Sequence, residues 1–337
     1  MEFDFSEEQY ALRDLARDLF QRESPPSRLR AMWGEDEPRD DKVWRTIAEA
    51  GLTGITVPEE FGGLGGDEVD LALVLEEAGR AALPEPLVET LAIAAPAIAE
   101  GGTDEQKREW LPRIAAGDAF VAVSFGDERW APDADVADLL VVERDDAVHL
   151  VPKGSFTARR VRSEDGARRL FEVDVGLDST TATNADGRLA RFRAVAATAT
   201  LLNGVAMKLL DLTLEHVKSR TQFERTVGSF QAVKHKLAEV AVEVDASRPA
   251  AWCAAYLIAQ RDPGAANAAR VAKIAANDAA HRANVEALQL HGGIGFTWEH
   301  DLHFWLKRGL ALEAACGASA DHRRGLAAHV FEQGSPG

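Results

Sequence analysis

The residues best suited to chemistry lie in a short segment in the last third of the chain. Arg220-Thr221-Gln222-Phe223 is followed by Phe230-Gln231, so an arginine, amides and aromatic rings occur together at the predicted junction of two helices. A guanidinium presents five donors in a planar fork, which matches a pyrophosphate better than an ammonium does. The segment therefore predicts a binding site for an anionic cofactor. Taken alone, Arg220 is better explained as a helix-terminal cation that stabilises the helix dipole.

A second candidate is the stretch from Gln289 to Phe296, which reads Gln-Leu-His-Gly-Gly-Ile-Gly-Phe. The paired Gly292 and Gly293 let a backbone approach a bulky ligand, and Gln289 can both donate and accept hydrogen bonds. A glycine stop at the end of a helix explains the same pattern, so this stretch alone is a weak signal.

The remaining polar residues predict no metal site and no nucleophile. Cys253 and Cys316 are too few for a disulfide framework and lack metal-ligand spacing, and Cys316 is expected to be a small buried residue. His281 is expected to be a hydrogen-bonded structural histidine. The sequence leaves two other histidines undecided: His291 is a candidate ligand, and His235 is either a surface residue or a cofactor contact. A cluster with two histidines and two acids follows the glycines, which is too few ligands around a loop to predict a metal site: Trp298, Glu299, His300, Asp301 and His303.

Helices are expected to position both candidate segments. Apolar residues step by three and four from Leu202 to Leu212 and again from Phe230 to Val244, which marks one buried stripe on each of two helices. An alanine-rich helix is predicted from about Ala265 to Leu288. With short connections, these helices predict an antiparallel four-helix bundle over residues 187–337.

The rest of the chain divides into a helical part and a β-rich part. Residues 1–117 are predicted to be helical, with capping-box patterns at Ser6–Gln9 and Thr103–Gln106. Short apolar runs then predict four to six strands in a small β-domain over residues 118–186, with Asn184–Gly187 as a linker. The predicted fold class is therefore mainly α with a small, truncated β-domain between two helical parts.

Composition excludes some classes of function. The net charge is −17, from 38 Lys+Arg against 55 Asp+Glu, which argues against a nucleic-acid partner. No apolar run approaches the roughly 20 residues that span a bilayer, and Met1–Phe5 lacks the features of a signal peptide. The expected location is the cytoplasm, with no membrane partner.

Taken together, the candidate segments resemble one family, the flavin-dependent acyl-CoA dehydrogenases. The shared signature is Arg-x-x-Phe, then Phe-Gln seven and eight residues on, then Gln-x-x-Gly-Gly-x-Gly-Phe about sixty residues later. The helix opening at Glu7-Glu8-Gln9 and the stretch Gly54–Gly63 also look like this family. Its members bind FAD across a subunit interface. The resemblance implies FAD contacts from Arg220, Gln222, Phe223 and Gln231 at the pyrophosphate end, and from Gln289, Gly292 and Gly293 in the same half of the cofactor.

The middle of the chain departs from the family pattern. Members carry Thr-Glu-Pro-x-x-Gly-Ser-Asp where the β-domain opens, and a Trp/Phe-Ile-Thr-Asn/Ser stretch that holds the flavin ring. Here the matching start is Val121–Glu128, the second stretch is absent, and Lys153–Phe156 does not replace it. The comparison with the family implies that this chain does not seat a flavin ring on its own β-domain.

The catalytic base of the family is also missing. The reaction removes an α-proton beside a thioester carbonyl and passes a hydride to the flavin, so it needs a carboxylate over the ring. Cys316-Gly317 stands where most members have the glutamate, and Arg193-Ala194 stands where others have it. Glu313 is a weak candidate almost one helical turn from Cys316, since a solvated or ion-paired glutamate near Lys307-Arg308 explains it better.

These features resemble the shortened, base-lacking subunit of heteromeric actinobacterial acyl-CoA dehydrogenases that act on steroid side-chain CoA thioesters. The expected assembly is α2β2 with two FAD molecules, in which a full-length acyl-CoA dehydrogenase subunit supplies the glutamate, the flavin-ring contacts and most of the acyl-CoA pocket. An electron-transfer flavoprotein or similar acceptor would receive the electrons. Two alternatives stay open: a homo-oligomeric flavoprotein oxidase or monooxygenase on the same fold, and a non-catalytic helical scaffold.

Overall fold

The computed structural model describes residues 4–33, 41–126, 128 and 130–333, and it confirms the predicted fold class, mainly α with a small β-domain. The first helices are α1 (Glu7–Glu23), α2 (Pro26–Met32), α3 (Lys42–Glu49), α4 (Glu68–Arg80), α5 (Ala95–Gly101) and α6 (Asp104–Ala115). Short 3-10 turns at Leu52–Gly54 and Glu59–Phe61 lie between α3 and α4, and a π-helical segment, Val88–Ala94, leads into α5.

Side-chain caps explain where three of these helices begin. The hydroxyls of Ser6 and Thr103 each accept a hydrogen bond from the backbone N–H of the glutamine three residues on. The side-chain oxygen of that glutamine accepts a hydrogen bond from the backbone N–H of the cap residue, as the two capping-box patterns predict. Asp67 makes the same reciprocal pair with Asp70 at the start of α4. Each cap satisfies backbone N–H groups that have no partner within the helix.

The middle of the chain folds into two small sheets. Its strands are β1 (Val121–Phe125), β2 (Trp130–Pro132), β3 (Leu139–Arg144), β4 (Ala147–Pro152), β5 (Phe156–Val161), β6 (Leu170–Val175) and β7 (Ala182–Asp186). The strand orders are β1-β3-β4-β7 and β2-β6-β5, with β1 and β3 parallel and the other pairs antiparallel. Side chains from both sheets, among them Leu140, Val142 and Phe171, form a separate apolar core.

Two expectations about this region are wrong. The described region from 121 to 186 holds more strands than the four to six predicted, because β2 is only three residues long and β7 has no apolar run. The predicted linker at Asn184–Gly187 is instead the end of β7 and the start of the next helix, whose N-cap is Asp186. Ala185 lies so close to α5 that a Cβ on Gly101 would be 1.9 Å from its backbone nitrogen. Packing therefore holds these residues in an ordered strand-to-helix junction.

The C-terminal part is a helical bundle. It contains α7 (Gly187–Ser219), α8 (Gln231–Ala259), α9 (Ala265–His291), α10 (Leu302–Ala314) and α11 (Ser319–Gln333). A hairpin of β8 (Thr221–Gln222) and β9 (Arg225–Thr226) joins α7 to α8, and a 3-10 turn, Gly292–Phe296, follows α9. Helices α7 to α10 share one core rich in alanine and leucine, and α11 packs on α9 as a fifth helix beyond the four predicted.

Helix α7 is the central element of the bundle. It is the one helix among the described residues that is long and apolar enough to cross a membrane by length and composition, and 67% of its most apolar window is buried inside the protein. Its Gly204 faces Gly79 of α4, and a Cβ on either glycine would lie 2.0 Å from a backbone oxygen of the opposite helix. This close approach fixes the N-terminal helices against the bundle.

Candidate functional site

Arg220 lies where α7 ends. Its backbone is extended (φ −73°, ψ 127°), and its N–H donates to His216 O at 2.8 Å, which closes the last turn of the helix. The β8–β9 hairpin follows at once, and its two turn residues, Phe223 and Glu224, have φ of 52° and 65°. Such values are uncommon for residues with a side chain. The tight turn holds the Phe223 ring out from the protein, where it is 86% exposed.

A cationic and aromatic surface surrounds this hairpin. The Arg225 guanidinium lies 4.0 Å from the centroid of Phe230, and Phe223 contacts the same ring edge-on at 6.3 Å. Phe230 is the N-cap residue of α8, and the exposed Gln231 is the first residue of that helix. Gln231 therefore lies beside the hairpin, next to a helix N-terminus, whose free N–H groups and dipole favour an anion.

The basic groups here lack acidic partners. Within the described part of the chain, no carboxylate oxygen comes within 4.0 Å of the side-chain nitrogens of Arg220, Arg225 or Lys234. All three are exposed. In a chain with a net charge of −17, three exposed and unpaired cations form a local positive patch. The donor set therefore suits the pyrophosphate of a dinucleotide such as FAD.

The glycine motif ends α9 close to this patch. Gly292 has φ 62° and ψ −141°, a conformation open to glycine and strained for other residues. A Cβ added to Gly292 or Gly293 would meet no atom within 4 Å, so the backbone here borders open space. Gln289 is exposed on the last turn of α9. A bulky group therefore has room to approach this backbone closely, and the FAD contact itself stays a prediction.

A stacked histidine pair brings the two motifs together. The rings of His216 and His291 lie with centroids 4.2 Å apart and planes at 23°. His216 is one helical turn before Arg220, and His291 directly precedes Gly292. Burial lowers the pKa of His291 to about 4 and also lowers the pKa of His216, so both rings are neutral at neutral pH. All the residues predicted to contact FAD thus lie at one end of the bundle.

Cys316 occupies the position where most family members have the catalytic glutamate. Its backbone is left-handed (φ 57°), its Sγ lies 3.6 Å from Thr198 Oγ1, and its carbonyl faces His322 Nε2 at 3.0 Å. The residue is half-buried between the apolar cores of the N-terminal part and of the bundle, as expected for a small structural residue. Burial raises the pKa of the Cys316 thiol, so it remains protonated and cannot act as a base.

Glu313 does not replace the missing base. Its carboxylate pairs with His281, Oε2 to Nδ1 at 3.3 Å. The pair lies in a cleft of about 1010 Å³ that is lined by α8, α9, α10, α11 and the α10–α11 turn, and Cys316 is not part of the lining. The expected neighbours, Lys307 and Arg308, are wrong as partners, because they lie on another face of α10. Lys307 lies over the rings of Trp33 and Trp298, and Arg308 is bound to Asp165.

The second position for a base is filled by an arginine. Arg193 is buried in α7 and donates to Glu100, with Nη1 to Oε2 at 2.9 Å, and to Glu68. Both carboxylates are therefore committed to a cation. Neither of the two positions that carry the base in the family offers a free carboxylate in this chain.

The sequence did not predict a role for two residues, one beside Arg220 and one beside the turn that carries Cys316. His216 organises the end of α7, and its spacing of four from Arg220 is a signal that could have found it. Lys273 is fully buried in α9, and its Nζ donates to Asn277 Oδ1, Leu312 O and Glu313 O at 2.6, 2.9 and 3.1 Å. Nothing in the alanine-rich pattern around Lys273 distinguishes it from a surface lysine.

Comparison with known proteins agrees with this architecture. The family models for the acyl-CoA dehydrogenase N-terminal and C-terminal domains match residues 6–118 and 183–331. Acyl-CoA dehydrogenase IpdE2 of Mycobacterium tuberculosis is 34% identical over 327 residues, which cover 97% of this chain and 98% of the relative. Its length therefore matches this chain almost end to end, including the short middle domain.

Two solved structures share the fold. The Tcur3481-Tcur3483 steroid ACAD G363A variant has a TM-score of 0.85 at 29% identity, covering 97% of this chain and 98% of that one. The ChsE4-ChsE5 complex from Mycobacterium tuberculosis has a TM-score of 0.90 over the whole of both chains at 22% identity, a likeness that concerns the fold alone.

Proposed function

Because this chain belongs to the acyl-CoA dehydrogenase family, whose cofactor is FAD, we propose that it is one subunit of a heteromeric FAD-dependent acyl-CoA dehydrogenase. It contributes residues that bind FAD across a subunit interface. A full-length partner subunit supplies the catalytic glutamate, the flavin-ring contacts and most of the acyl pocket. The expected assembly is α2β2.

Two features together support this proposal: the chain carries residues placed to bind FAD, and it lacks the catalytic base. Arg220 is exposed with no acidic partner among the described residues, the Phe223 ring is 86% exposed, and Gly293 borders open space, as a half-site for a ligand requires. Cys316 is protonated at one base position, and Arg193 holds two carboxylates at the other. A chain with the first feature and without a base needs a second subunit for the reaction.

The side chains of this subunit have binding roles. Arg220 would hold the pyrophosphate through charge-assisted hydrogen bonds, helped by Gln222 and Gln231, and Phe223 would pack on the cofactor as a rigid apolar surface. Gln289 with Gly292 and Gly293 would accept the adjacent part of the cofactor at the end of α9. When bound, FAD supplies the hydride acceptor. The neutral Cys316 thiol would leave proton removal to the partner's carboxylate.

The substrate assignment within the family is a further part of the proposal. The similarity to a steroid ACAD at 29% identity supports a CoA thioester with a steroid-derived acyl chain. An electron-transfer flavoprotein or a similar acceptor would reoxidise the flavin, and the complex would work in the cytoplasm. Oxidation would then introduce a Cα–Cβ double bond beside the thioester.

The flavin content of the chain, alone and co-expressed with candidate full-length partners, tests the proposal. We expect near-zero FAD in the isolated chain, and two FAD per α2β2 complex together with dehydrogenation of an acyl-CoA when the partner is present. The proposal is wrong if the isolated chain binds one FAD per protomer and dehydrogenates an acyl-CoA. Oxygen consumption by the lone, flavin-loaded chain would instead support an oxidase or monooxygenase.

A further inference from the structure

Three histidines from separate segments meet at the end of the bundle. His216 comes from the last turns of α7, His291 from the end of α9, and His300 from the loop before α10. One ring nitrogen from each lies within 4.8 Å of the other two. The ring of His300 contacts His291 edge-on at 5.0 Å, while His216 and His291 stack.

The hydrogen bonds of these rings leave nitrogens available. His291 Nδ1 donates to Ala287 O at 2.8 Å, so its Nε2 carries a free lone pair. Histidines that bind metals are commonly oriented by such a bond from the other nitrogen to a backbone carbonyl. No described residue forms a hydrogen bond with either ring nitrogen of His216.

We propose that His216, His291 and His300 bind a divalent transition-metal ion of the Zn²⁺ class. Three imidazoles supply nitrogen donors, which zinc, nickel and copper prefer, whereas magnesium and calcium prefer oxygen donors. A fourth position remains for water, the arrangement of many three-ligand zinc sites. This inference does not rest on the proposed function, since it uses only side chains of this chain.

The rings have to move modestly to bind the ion. A tetrahedral ion with Zn–N bonds of about 2.0–2.1 Å places its ligand nitrogens roughly 3.4 Å apart. The present distances between these nitrogens are at most 4.8 Å, so each has to shorten by at most about 1.4 Å. His216 and His300 are only half-buried, so their rings have room to adjust, whereas the buried His291 is the fixed member.

Binding would also change the start of α10. His300 Nδ1 accepts a hydrogen bond from the N–H of Leu302 at 3.1 Å, which places the ring proton on Nε2. For Nε2 to bind the ion, that proton moves to Nδ1 and the bond to Leu302 is released. Loss of this bond, together with the positive charge of Arg220 near His216, predicts weaker binding than the roughly 10–16 kcal/mol of a structural zinc site, with a dissociation constant on the order of micromolar.

The consequence is a metal cross-link beneath the anion-binding surface. The ion would join the turn before Arg220 to the residue before Gly292, and would tie both to the loop that leads into α10. Metal occupancy would thereby reduce relative movement of the two segments. No ligand of the site comes from another subunit, so binding is expected in the isolated chain.

Zinc titration of the untagged, EDTA-treated chain tests the site. Isothermal titration with ZnCl₂ is expected to give one ion per chain at micromolar affinity. His216→Ala and His300→Ala should each weaken binding by at least tenfold, with circular dichroism showing that each variant is folded. His281→Ala removes an exposed histidine paired with Glu313, outside the cluster, and should leave the affinity unchanged.

The Co²⁺ absorption spectrum provides a second readout. Co²⁺ in the wild-type site should give the intense visible bands of a tetrahedral ion with nitrogen ligands, and these bands should disappear in His300→Ala. Zinc binding that persists at equal affinity in both cluster variants would overturn the proposal and indicate an adventitious ion only. Absence of binding at millimolar zinc would overturn it as well.

Discussion

Lys273 Nζ donates a hydrogen bond to Leu312 O at 2.9 Å from a fully buried position in the core of the bundle. With a second bond to Glu313 O, the ammonium satisfies two carbonyls at the C-terminal end of α10. A cation at this end of a helix also complements the helix dipole. Lys273 thus holds in place the turn that carries Cys316, where the family has its base.

Replacing Lys273 is expected to destabilise the protein. Lys273→Ala removes the donor to the buried Leu312 O and to Asn277 Oδ1, leaves Glu313 O with Asn277 Nδ2 as its donor, and opens a cavity. The expected cost is about 2–4 kcal/mol in the free energy of unfolding. Urea unfolding followed by circular dichroism measures this change. Lys236→Ala, which breaks a more exposed pair with Glu286, serves as a control and should cost no more than about 1 kcal/mol. Equal costs in the two variants would contradict the structural role of Lys273.

Acid should destabilise the folded chain through His291. Burial lowers its pKa to about 4 in the folded state, whereas the unfolded chain has an ordinary value of about 6.5. Between these values the unfolded chain binds more protons, so stability falls as the pH drops from about 6.5 to 4. His291→Gln keeps a donor for Ala287 O and removes this titration.

The free energy of unfolding, measured in EDTA at several pH values, tests this expectation. The wild type should lose up to about 3 kcal/mol more than His291→Gln over this range, an upper limit for a shift of this size. His216, His303 and His322 also have lowered pKa values and add a loss common to both proteins. Identical pH profiles would show that His291 is not buried as described.

Arg220 is expected to control flavin affinity in the assembled complex. Arg220→Ala removes a charged hydrogen bond to the pyrophosphate, worth about 1.5–3 kcal/mol, or roughly 10- to 150-fold in the dissociation constant of FAD. Fluorescence titration of the flavin-stripped complex measures it. Arg22→Ala removes an exposed arginine paired with Glu23 and should leave FAD affinity unchanged. An unchanged affinity in Arg220→Ala would favour a scaffold that no longer uses flavin.

The contact between α4 and α7 should not tolerate a methyl group. In Gly204→Ala the new Cβ would lie 2.0 Å from Glu76 O, so the two helices must separate, at a cost of about 1–3 kcal/mol or more. Gly176→Ala is the matched control, because a Cβ there meets no atom within 4 Å. Thermal unfolding should show a lower midpoint for Gly204→Ala and little change for Gly176→Ala.

Local patterns in the sequence were sufficient for the fold class and for the family. The capping boxes at Ser6 and Thr103, the apolar stripes of α7 and α8 and the glycine stop after α9 each depend on residues a few positions apart, so the sequence states them directly. The absence of the family glutamate at Cys316 is likewise visible without a structure. The FAD roles of Arg220, Gln222, Phe223, Gln231, Gln289, Gly292 and Gly293 remain predictions.

Tertiary packing decided the rest. The partner of Glu313 is His281 and not Lys307 or Arg308, Lys273 lies in the core, and Asn184–Gly187 is a strand-to-helix junction. The meeting of His216, His291 and His300 is of the same kind, because these residues are brought together only when α7, α9 and the loop before α10 converge. Burial and long-range contacts set the charge state and the partners of such groups. Neither burial nor long-range contacts can be read from the spacing of residues that are neighbours in the sequence.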